Sequence, residues 1–178
     1  NMSMLKYYFD CTKKDSKELF QGLKILEQEE KYTSKLGYYP VIYVTLKDAG
    51  LMNYNLMMMQ LKTIMMEVYY EHRYVLEKEE MSEGERKIFN RMLSAEANDI
   101  DIMNSLKILS KILYQYYNKP VILLIDEYDV PLQNAYIQGY YEEAVSFYRT
   151  FYGVTFKDNP YLEKTVITGV SRVAKESI

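Results

Sequence analysis

Two consecutive carboxylates at the end of an apolar run, Val121-Ile-Leu-Leu-Ile-Asp-Glu-Tyr-Asp129, are the residues in this chain best placed to do chemistry. A run of that kind without alternation reads as a β-strand buried on both faces, and so as part of a parallel sheet. In open α/β sheets ligands bind beyond the carboxyl ends of the strands, so acids delivered there face a site. Asp126 is the expected ligand of Mg²⁺, through a coordinated water, because a hard cation bridging phosphates takes oxygen donors fixed on a rigid element. Glu127 is expected to orient and deprotonate an attacking water. The bland alternative is that strand ends run into polar loops and often finish in acids for that reason alone.

A second run, Thr165-Val-Ile-Thr-Gly-Val-Ser-Arg172, changes the balance. It too reads as a strand buried on both faces, and it ends in Thr168, Ser171 and Arg172. If its tip lies beside the first, a hydroxyl from Thr168 or Ser171 reaches the attacking water or the bound nucleotide, and the planar fork of Arg172 suits γ-phosphate oxygens. Read blandly, Arg172 is a surface partner for Glu176.

Several helices and one more strand must position these tips. Met2, Leu5, Tyr8 and Phe9 have helical spacing with no capping residue before them, so the chain begins in or just before a helix. Asp15 or Ser16 can cap a second helix through Leu19, Phe20, Leu23 and Leu26, ended by Gly37 and Pro40. Val41 to Leu46 is β-branched and aromatic, a strand. From about Leu51 to Asn118 there is no proline and a lone glycine, Gly84, with helical spacing throughout. Two or three long helices are expected there, with Ser82 and Glu85 as a capping box and Asn98 or Asp99 starting the last. Met57, Met58, Met59, Met65 and Met66 fit a core, or an adaptable partner surface. Pro131 to about Gly153 reads as helix interrupted at Gly139. The alternation of helices and strands predicts a three-layer α/β fold, a parallel sheet flanked by helices with a large helical insertion of about 51–118, in a single domain over 1–178.

Composition narrows the function classes. With 48% apolar residues in 178, the chain can bury a substantial core. Twenty-two basic against 25 acidic residues give a net charge of −3, which provides no overall pull toward nucleic acid or anionic membrane. Cys11 is the single cysteine, which excludes an internal disulfide framework, and His72 is the single histidine, which excludes a multi-histidine metal site. No apolar run approaches the roughly 18 residues of a membrane span, and the N-terminus lacks a signal-peptide layout, so a cytoplasmic location is expected. The 20 tyrosines fit a Tyr-, Lys- and Asn-rich background better than base-stacking platforms.

The strings NMSML, LLIDEYDVPL, GYYEEA and ITGVSRVAKESI, in this order and spacing, closely resemble the AAA-ATPase-like family common in gut and other anaerobic bacteria. The stretches HRYVLEKEEMSEGERKIFNRMLSAEA and NSLKILSKILYQYYNKPVILLIDEYD resemble the middle region of that family, so the likeness covers essentially the whole chain. It implies a P-loop NTPase-like fold, incomplete here, with ATP and Mg²⁺ as cofactors and a Walker B strand ending in Asp126 and Glu127. The family places an arginine-rich Walker A loop before NMSML and, in many members, a restriction-endonuclease-like nuclease domain after KESI. These 178 residues contain neither, so on their own they are expected to bind MgATP weakly or not at all, because the phosphate loop supplies most of the ground-state grip on nucleotide. The resemblance also implies that the strand leading into that loop would lie against the Thr165 strand, and an apolar edge left open there invites self-association. Two other readings stay open: a non-catalytic module whose helical block binds a partner protein, and a metal-dependent nuclease using Asp126, Glu127 and Asp129.

Overall fold

Period-two burial along one central strand organises the molecule. The computed structural model describes residues 2–78, 81–94 and 96–170. In β2, Val121–Asp126, the side chains of Val121, Leu123 and Ile125 enter a large core, while Ile122 and Leu124 enter a smaller one on the opposite face. Both sets are buried, as the apolar run requires. β1, Val41–Thr45, pairs parallel with β2 from Val41 opposite Ile122 to Thr45 opposite Asp126. β3, Leu162–Ile167, pairs parallel with the other side of β2, ending with Ile125 opposite Ile167. The sheet order is β1-β2-β3. The fold is therefore α/β, a three-stranded parallel sheet flanked by helices.

The smaller core is covered by α1, Met2–Phe9, whose Met2, Leu5 and Phe9 pack on Tyr39, Val41, Ile122 and Leu124. The last turn of α1 is tied to the segment entering β1: Gly37 N donates to Tyr8 O at 2.7 Å and Tyr39 N to Phe9 O at 2.9 Å. Because that segment precedes the amino end of β1, α1 runs back along the sheet and its N-terminal end is directed to the carboxyl rim.

The larger core is closed by the insertion and the helices after β2. α3, Tyr54–Glu71, starts at Asn53, whose side chain accepts from Leu56 N, and buries Met57, Leu61, Ile64, Met65 and Tyr69. Four of the five grouped methionines follow the core reading in full or in part; Met59 is the exposed one. α4, Glu83–Leu93, carries the Ser82–Glu85 capping box in both directions. α5, Asp99–Tyr117, begins with a second box between Asn98 and Asp101, and Arg91 at the end of α4 grips the Asp101 carboxylate with two bonds of 3.0 and 2.6 Å. That fork joins the last turn of one helix to the first turn of the next, and it holds Asp101 below its ordinary range. α6, Val130–Gln138, and α7, Tyr141–Phe156, are separated by Gly139 at φ 84°, where the left-handed backbone ends α6. Among the described residues, no helix is long and apolar enough to cross a membrane.

Two expectations fail. Residues 14–27 do not form one helix capped by Asp15 or Ser16; they form 3-10 turns, Lys14–Phe20 and Lys24–Glu27, followed by the four-residue helix α2, Glu30–Thr33. Gly22 at φ 75° breaks the run, and Leu19 and Leu23 are exposed, so the apolar stripe that would have supported a helix buries little against the protein. The Thr165 strand is not buried on both faces either. β3 is partly to fully exposed along its length, with Ile167 41% exposed, because it has β2 on one side and no strand on the other among the described residues.

Candidate functional site

At the carboxyl rim, parity puts three polar groups on one face of the sheet. Tyr43, Asp126 and Thr168 each continue the alternation that sends Val41, Leu124 and Val166 into the cluster under α1. The Thr168 hydroxyl donates to Asp126 Oδ1, and the Glu127 N–H donates to the same oxygen at 3.1 Å. The Asp126 carbonyl accepts from Leu46 N at 3.0 Å and Thr168 N donates to Ile125 O at 2.9 Å, so the backbone fixes both ends of this contact. Tyr43 Oη lies 3.5 Å from Asp126 Oδ2, at the outer limit of hydrogen bonding. Burial first, and then the Asp126 carboxylate, raise the Tyr43 phenol above its ordinary range, so it stays protonated and donates.

Glu127 leaves the strand in the left-handed region at φ 54°. For a non-glycine residue this costs on the order of 1 kcal/mol. The turn it begins is closed by Val130 N donating to Glu127 O and by Tyr128 N donating to Thr168 O. The half-buried Glu127 side chain thus departs from the strand direction at the point where Asp126 ends it. Of the residues singled out in the sequence, Asp126, Glu127 and Thr168 come together on adjacent strand ends; Ser171 and Arg172 lie outside the described residues.

A family model described as a predicted AAA-ATPase matches residues 1–178. The chain belongs to this AAA-ATPase-like family. Neither a search of curated proteins nor one of solved structures gave a match. Membership in this AAA-ATPase-like family implies nucleotide binding.

The donor chemistry fits Mg²⁺. That ion keeps several waters and takes one or two carboxylates besides the phosphates, whereas sites built wholly from protein need more ligands. Among the described residues no cluster of three or more acidic, histidine or cysteine side chains could hold a metal alone. Asp126 Oδ1 accepts two hydrogen bonds, while Oδ2 has only the long contact from Tyr43 among the described residues and could still accept from a metal-bound water. Asp129, the third acid of the nuclease reading, is 1% exposed and accepts from Val170 N and Gln133 Nε2.

Sequence reasoning missed Tyr43 and Gly169. Tyr43 was visible as an aromatic residue in β1, but its role depends on the register that sets it beside Asp126. Gly169 has no room for a side chain: a Cβ there would lie 2.6 Å from Tyr128 Cε1 and closer still to Asp129 Oδ1.

Proposed function

We propose that this AAA-ATPase-like chain carries the metal-holding and water-activating acids of an Mg²⁺-dependent ATPase. The observation supporting the reading is the convergence of Asp126, Glu127 and Thr168 on neighbouring strand tips at the carboxyl rim. Asp126 Oδ2 would hold the cation through a water. The bound cation supplies charge neutralisation at the phosphates. Glu127 orients the attacking water and accepts its proton. Thr168 holds Asp126 and lies close enough to help place that water, while Ser171 and Arg172 supply a hydroxyl and a guanidinium to the nucleotide. The full-length protein should bind MgATP in the micromolar range by calorimetric titration. Asp126→Ala should weaken binding at least tenfold when Mg²⁺ is present and much less when it is chelated. A full-length protein that takes up no nucleotide, or an Asp126→Ala variant with unchanged Mg²⁺ dependence, would sink the assignment.

ATP turnover in this reading drives a conformational change that regulates an attached effector, such as a fused nuclease. The competing partner-binding reading draws on exposed apolar residues around α3, with Met52 72%, Met59 64% and Tyr70 57% exposed. Self-association of the 178 residues would use the outer edge of β3, which carries no strand among the described residues. Light scattering at rising concentration should then show dimers that vanish on replacing Thr165 with proline; a monomer at all concentrations argues against it.

A further inference from the structure

We propose that Asp129 is a positioning residue, which locks the turn after β2 to the tip of β3 and thereby holds the Thr168 hydroxyl on Asp126. The proposal rests on the ATPase reading above and adds to it a group that does not touch the reacting atoms. The peptide of Thr168 is bracketed on both sides: its N–H donates to Ile125 O at 2.9 Å and its carbonyl accepts from Tyr128 N at 3.0 Å. Immediately after it the chain crosses over the turn at Gly169, where the Tyr128 ring and the Asp129 carboxylate occupy the space of any Cβ. Val170 N then donates to Asp129 Oδ2 at 3.0 Å, and Gln133 Nε2 reaches the same oxygen at 2.6 Å.

Val170 itself is 96% exposed, so its side chain adds little packing, and among the described residues this N–H is what ties it to the turn. Asp129 is 1% exposed, and a buried carboxylate needs donors to compensate for lost water. The two donors to its Oδ2 come from different elements, the segment following β3 and the first turn of α6. The turn is in turn held from behind, since Tyr152 Oη on α7 donates to Tyr128 O at 3.3 Å. Loss of the Asp129 carboxylate therefore removes the tie just beyond Thr168 and loosens the β3 tip, leaving the strands paired and Thr168 held by its two backbone bonds alone. A displacement near 1 Å of a catalytic constellation can cost about a hundredfold in rate.

In the full-length protein, Asp129→Ala should lower kcat at least tenfold with KM for MgATP within about twofold of wild type, and the double variant with Thr168→Ala should be no slower than Thr168→Ala alone. Asp129→Asn should recover to within about threefold of wild type, because an asparagine carbonyl in the place of Oδ2 can still accept from both Val170 N and Gln133 Nε2. A residue that only stabilised the fold would give additive losses and lower the active fraction instead. If Asp129→Ala does not fold, Gln133→Ala should lower kcat about threefold with the same non-additivity. Unchanged kcat, additive losses, or an asparagine variant as slow as alanine each overturn the proposal, and Glu127→Gln, expected to be at least a hundredfold slower, tests the ATPase reading separately. Should the full-length protein show no turnover at all, the ATPase reading fails, and amide exchange still decides the lock: Val170 and Tyr128 should exchange at least tenfold faster in Asp129→Ala than in wild type, relative to amides of α5, and equal rates overturn it.

Discussion

Replacing Glu127 with glutamine should cut ATP turnover by the full-length protein at least a hundredfold while leaving MgATP affinity within about threefold. The amide keeps the size of the carboxylate and its ability to hold a water, but it cannot accept the proton that the attacking water must lose. General-base assistance contributes about 10²- to 10⁴-fold. A hundredfold corresponds to roughly 2.7 kcal/mol of transition-state stabilisation. The substitution is isosteric and the residue is half-buried, so folding is expected to survive; glutamine meets the same cost as glutamate at the left-handed φ of 54°. Turnover equal to wild type would remove Glu127 from the chemistry. Loss of affinity in parallel with turnover would instead place it among the nucleotide-binding groups.

The sheet and its rim were legible because burial writes itself into composition. Val121 to Ile125 are apolar without alternation since both faces of β2 are covered, and no other arrangement of a six-residue strand asks for that pattern. Ser82, Glu85 and Asn98 were readable because capping is local, decided within four residues. What failed depended on distant partners. Leu19, Leu23 and Leu26 have the spacing of a helix, but whether such a stripe is buried is settled by what lies opposite it. The Thr165 strand has the composition of an interior strand and is nonetheless exposed, because composition does not reveal how many strands flank it. At the site, Asp126 and Glu127 stand out by type and position, whereas Tyr43 acquires meaning only through the β1–β2 register. The left-handed turn at Glu127 was hidden for a different reason: nothing in a glutamate announces a positive φ, and the Tyr128–Thr168 and Val130–Glu127 backbone bonds impose it.

The stability of the protein should fall steadily as pH drops from about 6.5 to about 4, by an amount assignable to one side chain. His72 is 6% exposed at the end of α3, beside Tyr74, with Nδ1 and the Tyr74 hydroxyl 3.3 Å apart. Burial dominates its titration and lowers it to about 4; Lys6 and Lys13 push the same way, and Glu71 opposes them. The folded protein therefore keeps His72 neutral at pH values where the unfolded chain, with an ordinary histidine near 6.5, takes up a proton. Between these two values the unfolded state binds more protons, so stability is fully present above about pH 6.5 and drains away as pH falls toward 4. A separation of that size corresponds to roughly 3 kcal/mol, a large fraction of the stability of a typical domain. Asp101 and Glu85 also titrate below their ordinary values in the folded protein. The fork from Arg91 lowers Asp101; burial alone would raise Glu85, but Lys111 and Ser82 outweigh it. Their contributions are lost only once pH falls below the ordinary carboxylate range, leaving the interval from about 4.5 to 6.5 to the chain's single histidine. Denaturant unfolding across that interval should show a clear slope in the wild type and almost none in His72→Gln, which stays neutral and retains a polar group for Tyr74. An equal slope in both proteins would mean that His72 is open to protonation in the folded state, and that the packing of α3 against Tyr74 admits water.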